Sequence, residues 1–160
     1  MSGGPSKAVQ RRGRILGLDA GERRIGVALS DELRMLARPV MILDRRNGLS
    51  PVLDRLATLA HEENVTWLVV GLPLNADGSA GRQARRAEEF ARIAGRVLGL
   101  PYELWDERLS SVEAEAILRE QGRNMKRARQ QGIDAVAAAL ILQDYLDAHR
   151  SAVAEPGPEL

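Results

Sequence analysis

The chain has no cysteine, two histidines, and aromatic side chains at only 3% of its 160 residues. The absence of cysteine excludes disulfide bonds and thiolate metal sites. His61 and His149 lie in polar, helix-like stretches and cannot build a histidine-rich metal site together. Any metal chemistry must therefore use oxygen ligands, which suit hard cations such as Mg²⁺ and Mn²⁺.

Long hydrophobic runs are also missing. No run of about 18 consecutive apolar residues occurs, so the sequence predicts no membrane-spanning helix. Residues 1–14 are basic but lack the apolar segment of a secretory signal. We therefore expect a cytoplasmic protein that does not associate with membranes. Its length predicts one domain with a sizeable core, built mainly from aliphatic side chains.

The formal net charge of +1 conceals two basic stretches. Residues 1–24 contain six basic and two acidic side chains, and residues 119–131 contain five basic side chains and one acidic side chain. Each stretch therefore has a local net charge of +4. Arginine supplies all the basic side chains except Lys7 and Lys126. Because arginine binds phosphate bidentately, this favours a polyanionic partner. A general bias toward arginine codons explains the composition nearly as well, and composition alone does not decide between the two.

Hydrophobic patterns predict three antiparallel strands followed by alternating helices and strands. The predicted strands are residues 14–19, 25–30, 40–43, 67–71 and 102–106. The third of them follows Pro39 and is expected at a sheet edge. The predicted helices are residues 51–64 with Ser50 as N-cap, 81–98, 110–121 and 133–149. This order predicts an α/β fold with a mixed five-stranded sheet covered by helices on both faces. We expect residues 1–13 to be a disordered basic arm, residues 14–149 a single domain, and residues 150–160 a flexible tail.

Three carboxylates lie where carboxylates are energetically costly. Asp19 and Glu107 follow apolar, strand-like runs, and Asp134 opens the most apolar stretch of the chain. A buried ionised carboxylate costs several kcal/mol unless it is paired or binds a metal. Brought together at the carboxyl ends of strands, the three would form an all-oxygen site for Mg²⁺ or Mn²⁺. Such a site indicates phosphodiester chemistry.

Each acid also has a structural alternative. Asp19 could end its strand by capping the following turn, and Glu107 could pair with Arg108 or remain solvated. Asp134 could act only as an N-cap, the commonest role of aspartate at a helix start.

Four sequence blocks, in order and at compatible spacing, resemble those of the bacterial YqgF proteins, the first of them in two parts. They are residues 16–21, 24–31, 69–78, 105–110 and 133–143. That family is also described as RuvX-like Holliday junction resolvases with a ribonuclease H-like fold. The resemblance covers residues 14–148 and implies a nuclease that processes the precursor of small-subunit ribosomal RNA or resolves four-way DNA junctions. It further implies that Asp19, Glu107 and Asp134 are the catalytic acids.

The implied chemistry uses two divalent ions to activate water and to stabilise the leaving oxygen. We expect Asp19 to bridge the ions, with Glu107 and Asp134 each holding one of them. Without metal, three adjacent carboxylates repel one another, so at least one pKa should rise. Six polar or basic side chains are candidates for contacts with substrate phosphates. They are Asn75, Arg108, Arg23, Arg24, Lys126 and Arg127.

Two other functions compete with a nuclease. One is a nucleic-acid-binding module that keeps this fold without catalysis. The other is half of a sugar-kinase-type phosphotransferase, which also opens with Asp-x-Gly and a hairpin; the chain lacks a second half to enclose ATP. The sequence leaves RNA and DNA open as substrates. A symmetric four-way junction favours a homodimer, whereas cleavage at an RNA end does not require one.

Overall fold

The computed structural model describes residues 13–107 and 133–154, without the side chains of residues 133, 134 and 151–154. The basic arm apart from Gly13, the predicted helix at residues 110–121, and the end of the tail lie outside the described residues. So do Arg108, Lys126 and Arg127.

A mixed five-stranded sheet forms the centre of the molecule, with the strand order β3-β2-β1-β4-β5. The strands are β1 (Arg14–Ala20), β2 (Arg24–Ser30), β3 (Ala37–Asp44), β4 (Val65–Leu72) and β5 (Tyr102–Asp106). The first three are antiparallel, and β4 and β5 run parallel to β1. Gly21 donates its N–H to Arg24 O at 2.8 Å and closes the predicted β1–β2 hairpin.

Helices cover both faces of this sheet. They are α1 (Leu49–Glu62), α2 (Arg82–Leu98) and α3 (Ile133–Ala154). The apolar sides of α1 and α2 pack with one face of the sheet into a large core, and α3 packs with the opposite face into a second core. The predicted layer arrangement is therefore confirmed. Within the part of the chain that the structure describes, no helix is long and apolar enough to cross a membrane.

Several boundaries differ from the prediction. Ser50 is not the N-cap of α1: the helix begins at Leu49, Gly48 occupies the cap position, and no side chain caps it. The turn from β3 requires φ +94° at the cap, a conformation that glycine adopts without strain. α3 continues to Ala154 instead of ending at residue 149. β3 includes Pro39 and lies at the sheet edge, where proline is tolerated.

The alternation of side chains along β1 determines which face carries the first acid. Leu16 and Leu18 belong to the core under α1 and α2, whereas Ile15 belongs to the core under α3. Since successive side chains point to opposite faces of a strand, Asp19 shares the α3 face with Ile15 and Gly17.

α3 lies directly on β1 and runs against its direction. A Cβ atom at Gly17 would lie 2.8 Å from Leu142 Cβ, so only glycine permits this approach. Further along α3, Gln143 accepts a hydrogen bond from Ala37 N at 2.9 Å, at the sheet edge where β1 begins. The first residues of α3 therefore lie at the opposite edge, where β1 ends.

Candidate active site

Asp19 and Glu107 lie side by side at the carboxyl edge of the parallel strands. Asp19 is on β1 and Glu107 directly follows β5, with β4 between these two strands. The side chain of Glu107 extends over β4 at Gly71. A Cβ atom at Gly71 would lie 2.7 Å from Glu107 Oε2. The missing side chain of Gly71 thus leaves the space in which the Glu107 carboxyl group approaches Asp19.

The two carboxyl groups interact strongly. The pKa of Glu107 is raised from its ordinary 4.5 to about 7, first by burial and then by the negative charge of Asp19, a hydrogen bond with Asp19 and the charge of Asp106. In the metal-free protein the protonated Glu107 therefore donates a hydrogen bond to the Asp19 carboxylate. This is the rise in pKa that adjacent carboxylates predict.

This pair of acids fits a divalent cation. Its ligands are carboxylate oxygens, which hard cations prefer, and a positive ion would relieve the repulsion that otherwise keeps a proton on Glu107. Over the described ranges, no group of three or more metal-ligating side chains occurs. The side chain of Asp134, the predicted third ligand, lies outside those ranges.

The course of α3 directs its first residues, with Asp134 among them, toward the edge where β1 ends. Asp134 is the second residue of α3, and α3 begins at the edge where β1 ends. The structure brings Asp19 and Glu107 together, and the place of Asp134 beside them and its role as a ligand stay predictions.

Asn75 lies in the loop that follows β4, at this same edge. Its side-chain amide donates to Ser79 Oγ at 2.9 Å, its backbone N–H donates to Ser79 O at 2.9 Å, and its carbonyl accepts from Gly78 N at 2.8 Å. Asp77 accepts further bonds from the N–H and hydroxyl of Ser79. Asn75 therefore shapes an exposed loop beside the acids, and its contact with substrate stays a prediction.

Arg23 and Arg24 are exposed at the β1–β2 turn, close in sequence to Asp19. Arg24 opens β2 opposite Asp44, the last residue of β3. Their position at the active edge of the sheet suits contacts with a substrate backbone, and this role is likewise a prediction.

Gly71 is the site residue that the sequence analysis did not single out. A signal was available, since a glycine inside a buried apolar strand often marks a close approach by another group. Periodicity could not show that the approaching group is the carboxyl of Glu107, because the contact crosses from β5 to β4.

The pH dependence of Glu107 gives a first testable prediction. Its raised pKa means that the folded, metal-free protein holds the proton more tightly than the unfolded chain does. This contribution to the free energy of unfolding is therefore fully present below pH 4.5 and is lost as the pH rises through about 7. NMR titration of ¹³C-labelled glutamate should show one carboxyl group titrating near pH 7.

The control for this titration is Asp19→Asn, which removes the neighbouring charge but keeps the burial. We expect the pKa of Glu107 to fall in this variant and to stay above 4.5. An unshifted glutamate titration in the wild type would contradict the paired arrangement.

Comparisons with known proteins give matches over most of the chain. A family model described as RuvX, Holliday junction resolvase, matches residues 13–148. A curated relative from an Anaeromyxobacter species is 49% identical over 134 residues, covering 84% of this chain and 96% of the relative. Another from Myxococcus xanthus is 48% identical over 137 residues, covering 86% and 89%. Both carry the provisional name pre-16S rRNA nuclease.

Solved structures confirm the ribonuclease H-like fold. RuvC from Thermus thermophilus in complex with Holliday junction substrate matches with a TM-score of 0.59 at 15% identity, covering 86% of this chain and 96% of that chain. A second Thermus thermophilus RuvC structure matches with a TM-score of 0.53 at 13% identity and the same coverage. At these identities the likeness shows the fold alone.

Proposed function

The chain belongs to the RuvX family, and from this membership we propose that it is a metal-dependent endonuclease that hydrolyses phosphodiester bonds in structured nucleic acid. The observation that carries the proposal is the carboxyl pair of Asp19 and Glu107, buried enough to raise the pKa of Glu107 to about 7. A purely structural pair of this kind would only weaken the fold. Perturbed carboxyl groups at the carboxyl edge of a parallel sheet are typical of a reaction centre.

The three acids have distinct tasks in this proposal. Asp19, on the middle strand of the sheet, would be a ligand shared by two divalent ions, and Glu107 and Asp134 would each hold one of them. Bound divalent ions would supply an activated water and stabilisation of the leaving oxygen. To act as a ligand, Glu107 must first release its proton, which links activity to pH values near and above 7.

The 5′ end of pre-16S rRNA is the substrate that we favour. The relatives with this name are nearly half identical to the chain, whereas the RuvC solved with a Holliday junction shares only 15% of its residues with it. Resolution of four-way junctions is the second candidate, favoured by the description of the family model. A junction has two-fold symmetry, so this second activity would call for a homodimer.

Cleavage of two labelled substrates tests the function. A ribosomal RNA precursor and a four-way DNA junction would each be incubated with wild-type protein and Mg²⁺ or Mn²⁺, and again with EDTA. We expect metal-dependent cleavage, with the RNA as the better substrate. Cleavage that persists in EDTA would contradict the metal dependence, and binding without cleavage would support the non-catalytic module.

A further inference from the structure

Gln143 on α3 is polar and yet completely buried, at 0% exposure. Its Oε1 atom accepts a hydrogen bond from the backbone N–H of Ala37 at 2.9 Å. Its Nε2 atom donates to Met35 O at 3.0 Å and to Asp147 Oδ1 at 3.1 Å. Two of these three partners are backbone groups at or just before the start of β3. The amide of Gln143 therefore links α3 to one position at the edge of the sheet.

The loop between β2 and β3, which contains Met35, is itself held in place. The carboxylate of Asp31 accepts hydrogen bonds from Met35 N and Leu36 N, each at 2.8 Å. The guanidinium of Arg34 donates to Thr66 Oγ1 on β4 at 2.9 Å. Since the loop is fixed both internally and against the sheet, it provides a stable reference point to which α3 is attached.

The first half of α3 contacts the sheet through small side chains. Ala138 and Ala139 belong to the core under α3, and Gly17 on β1 has no side chain to interlock with them. Apolar burial is non-directional, so such contacts give little preference for one axial position of the helix. Hydrogen bonds are directional, and fixing the register of packed helices is the best-attested use of a buried polar side chain. Gln143 is suited to that use.

We propose that Gln143 is a positioning residue that fixes α3 along its axis and thereby sets the place of Asp134 relative to Asp19. A continuous helix carries an axial shift at Gln143 to its first turn. A slip of one turn would move that end by about 5.4 Å, far more than a metal–ligand bond tolerates. The role of Asp134 as a ligand rests on the proposed function, whereas the axial position of α3 does not.

A purely structural role for Gln143 predicts a different result. Its hydrogen bonds satisfy buried backbone groups of Ala37 and Met35, so their loss would lower the melting temperature in either case. Such a loss of stability would not by itself move α3. The test therefore measures the position of the helix as well as the stability of the fold.

The chain has no cysteine, so two introduced cysteines can carry the only spin labels. We would place them at the exposed Asp44, which ends β3, and at the exposed Ala148 on α3. Double electron–electron resonance then measures their separation in the metal-free protein. Gln143→Met keeps the length of the side chain without its donor and acceptor, and should shift or broaden the distances by up to about 5 Å, one helical turn. Asp31→Ala, which releases the loop around Met35 without altering α3, should broaden the same distribution.

Leu146→Ala is the matched control, because it leaves a cavity under α3 but keeps the hydrogen bonds of Gln143. It should lower the melting temperature without changing the distance distribution. An unchanged distribution in both Gln143→Met and Asp31→Ala, or an equal change in Leu146→Ala, would overturn the proposal.

Mn²⁺ affinity tests the link from Gln143 to the metal site. By calorimetric titration, Gln143→Met should weaken Mn²⁺ binding about 10-fold in the otherwise wild-type protein. In the Asp134→Asn background it should cause no further loss, because its effect acts through Asp134. An equal loss in both backgrounds would overturn the link. Wild-type affinity in Asp134→Asn alone would count against the proposed metal site and not against the axial role of Gln143, which the distances test separately.

Discussion

Replacing Asp19 with asparagine is expected to slow phosphodiester cleavage by about 10³-fold or more while the protein remains folded. Asp19 lies on the middle strand, and its loss would remove the ligand that we assign to both ions. Metal stabilisation of the developing charge contributes several kcal/mol, and each 1.4 kcal/mol changes the rate tenfold. Single-turnover cleavage of the RNA precursor at saturating Mg²⁺ measures this loss in the chemical step.

Asp54→Asn provides the control, because it removes the same charge from an exposed position on α1. Its cleavage rate should equal that of the wild type. The Asp19→Asn variant should also be more stable than the metal-free wild type above pH 7, since it no longer repels an ionised Glu107. A variant that unfolds, or one that cleaves at the wild-type rate, would contradict the role of Asp19.

Replacing Gly71 with alanine is expected to weaken Mn²⁺ binding by about 10- to 100-fold, the range measured when groups that orient metal ligands are changed. The new Cβ atom would lie 2.7 Å from both Glu107 Oε2 and Ile141 Cδ1. Both atoms are ends of flexible side chains, so the fold can adapt by moving them. The Glu107 carboxyl would then leave its position beside Asp19. Calorimetric titration with Mn²⁺ at pH 8, where Glu107 is ionised, measures the affinity.

A double variant separates the metal site from the packing. Ile141→Val removes the Cδ1 atom, so Gly71→Ala combined with Ile141→Val relieves the apolar contact and leaves only the contact with Glu107. We expect the double variant to recover stability but not Mn²⁺ affinity. Wild-type affinity in Gly71→Ala, or recovery of affinity together with stability, would show that Gly71 serves packing alone.

The fold could be predicted in outline because local patterns determine it. The apolar runs around the Gly21 turn predict the hairpin, and continuous apolar residues predict β4 as a strand buried on both faces. The predicted helix start was wrong because serine is a common N-cap residue. The turn before α1 requires a positive φ at the cap position, and Gly48 rather than Ser50 therefore occupies it. The predicted end of α3 was residue 149, but no glycine or proline lies next to that position. The sequence therefore gives no signal that the helix stops there.

The sequence predicted which residues form the site but not the contacts between them. Strand ends identified Asp19 and Glu107, and the family resemblance added their roles. The space above Gly71 arises from a contact between elements distant in the chain, which no periodicity reveals. Adjacent acids predict a raised pKa, but only the burial of Glu107 shows which acid retains the proton.

The most direct test follows Mn²⁺ binding and cleavage of the RNA precursor in the same titration, for wild type and for Glu107→Gln. We predict that cleavage by the wild type rises with the occupancy of the metal site, and that Glu107→Gln loses binding and cleavage together. Cleavage by Glu107→Gln at the wild-type rate, or wild-type cleavage at metal concentrations where no ion is bound, would contradict a metal-dependent nuclease built on Asp19 and Glu107.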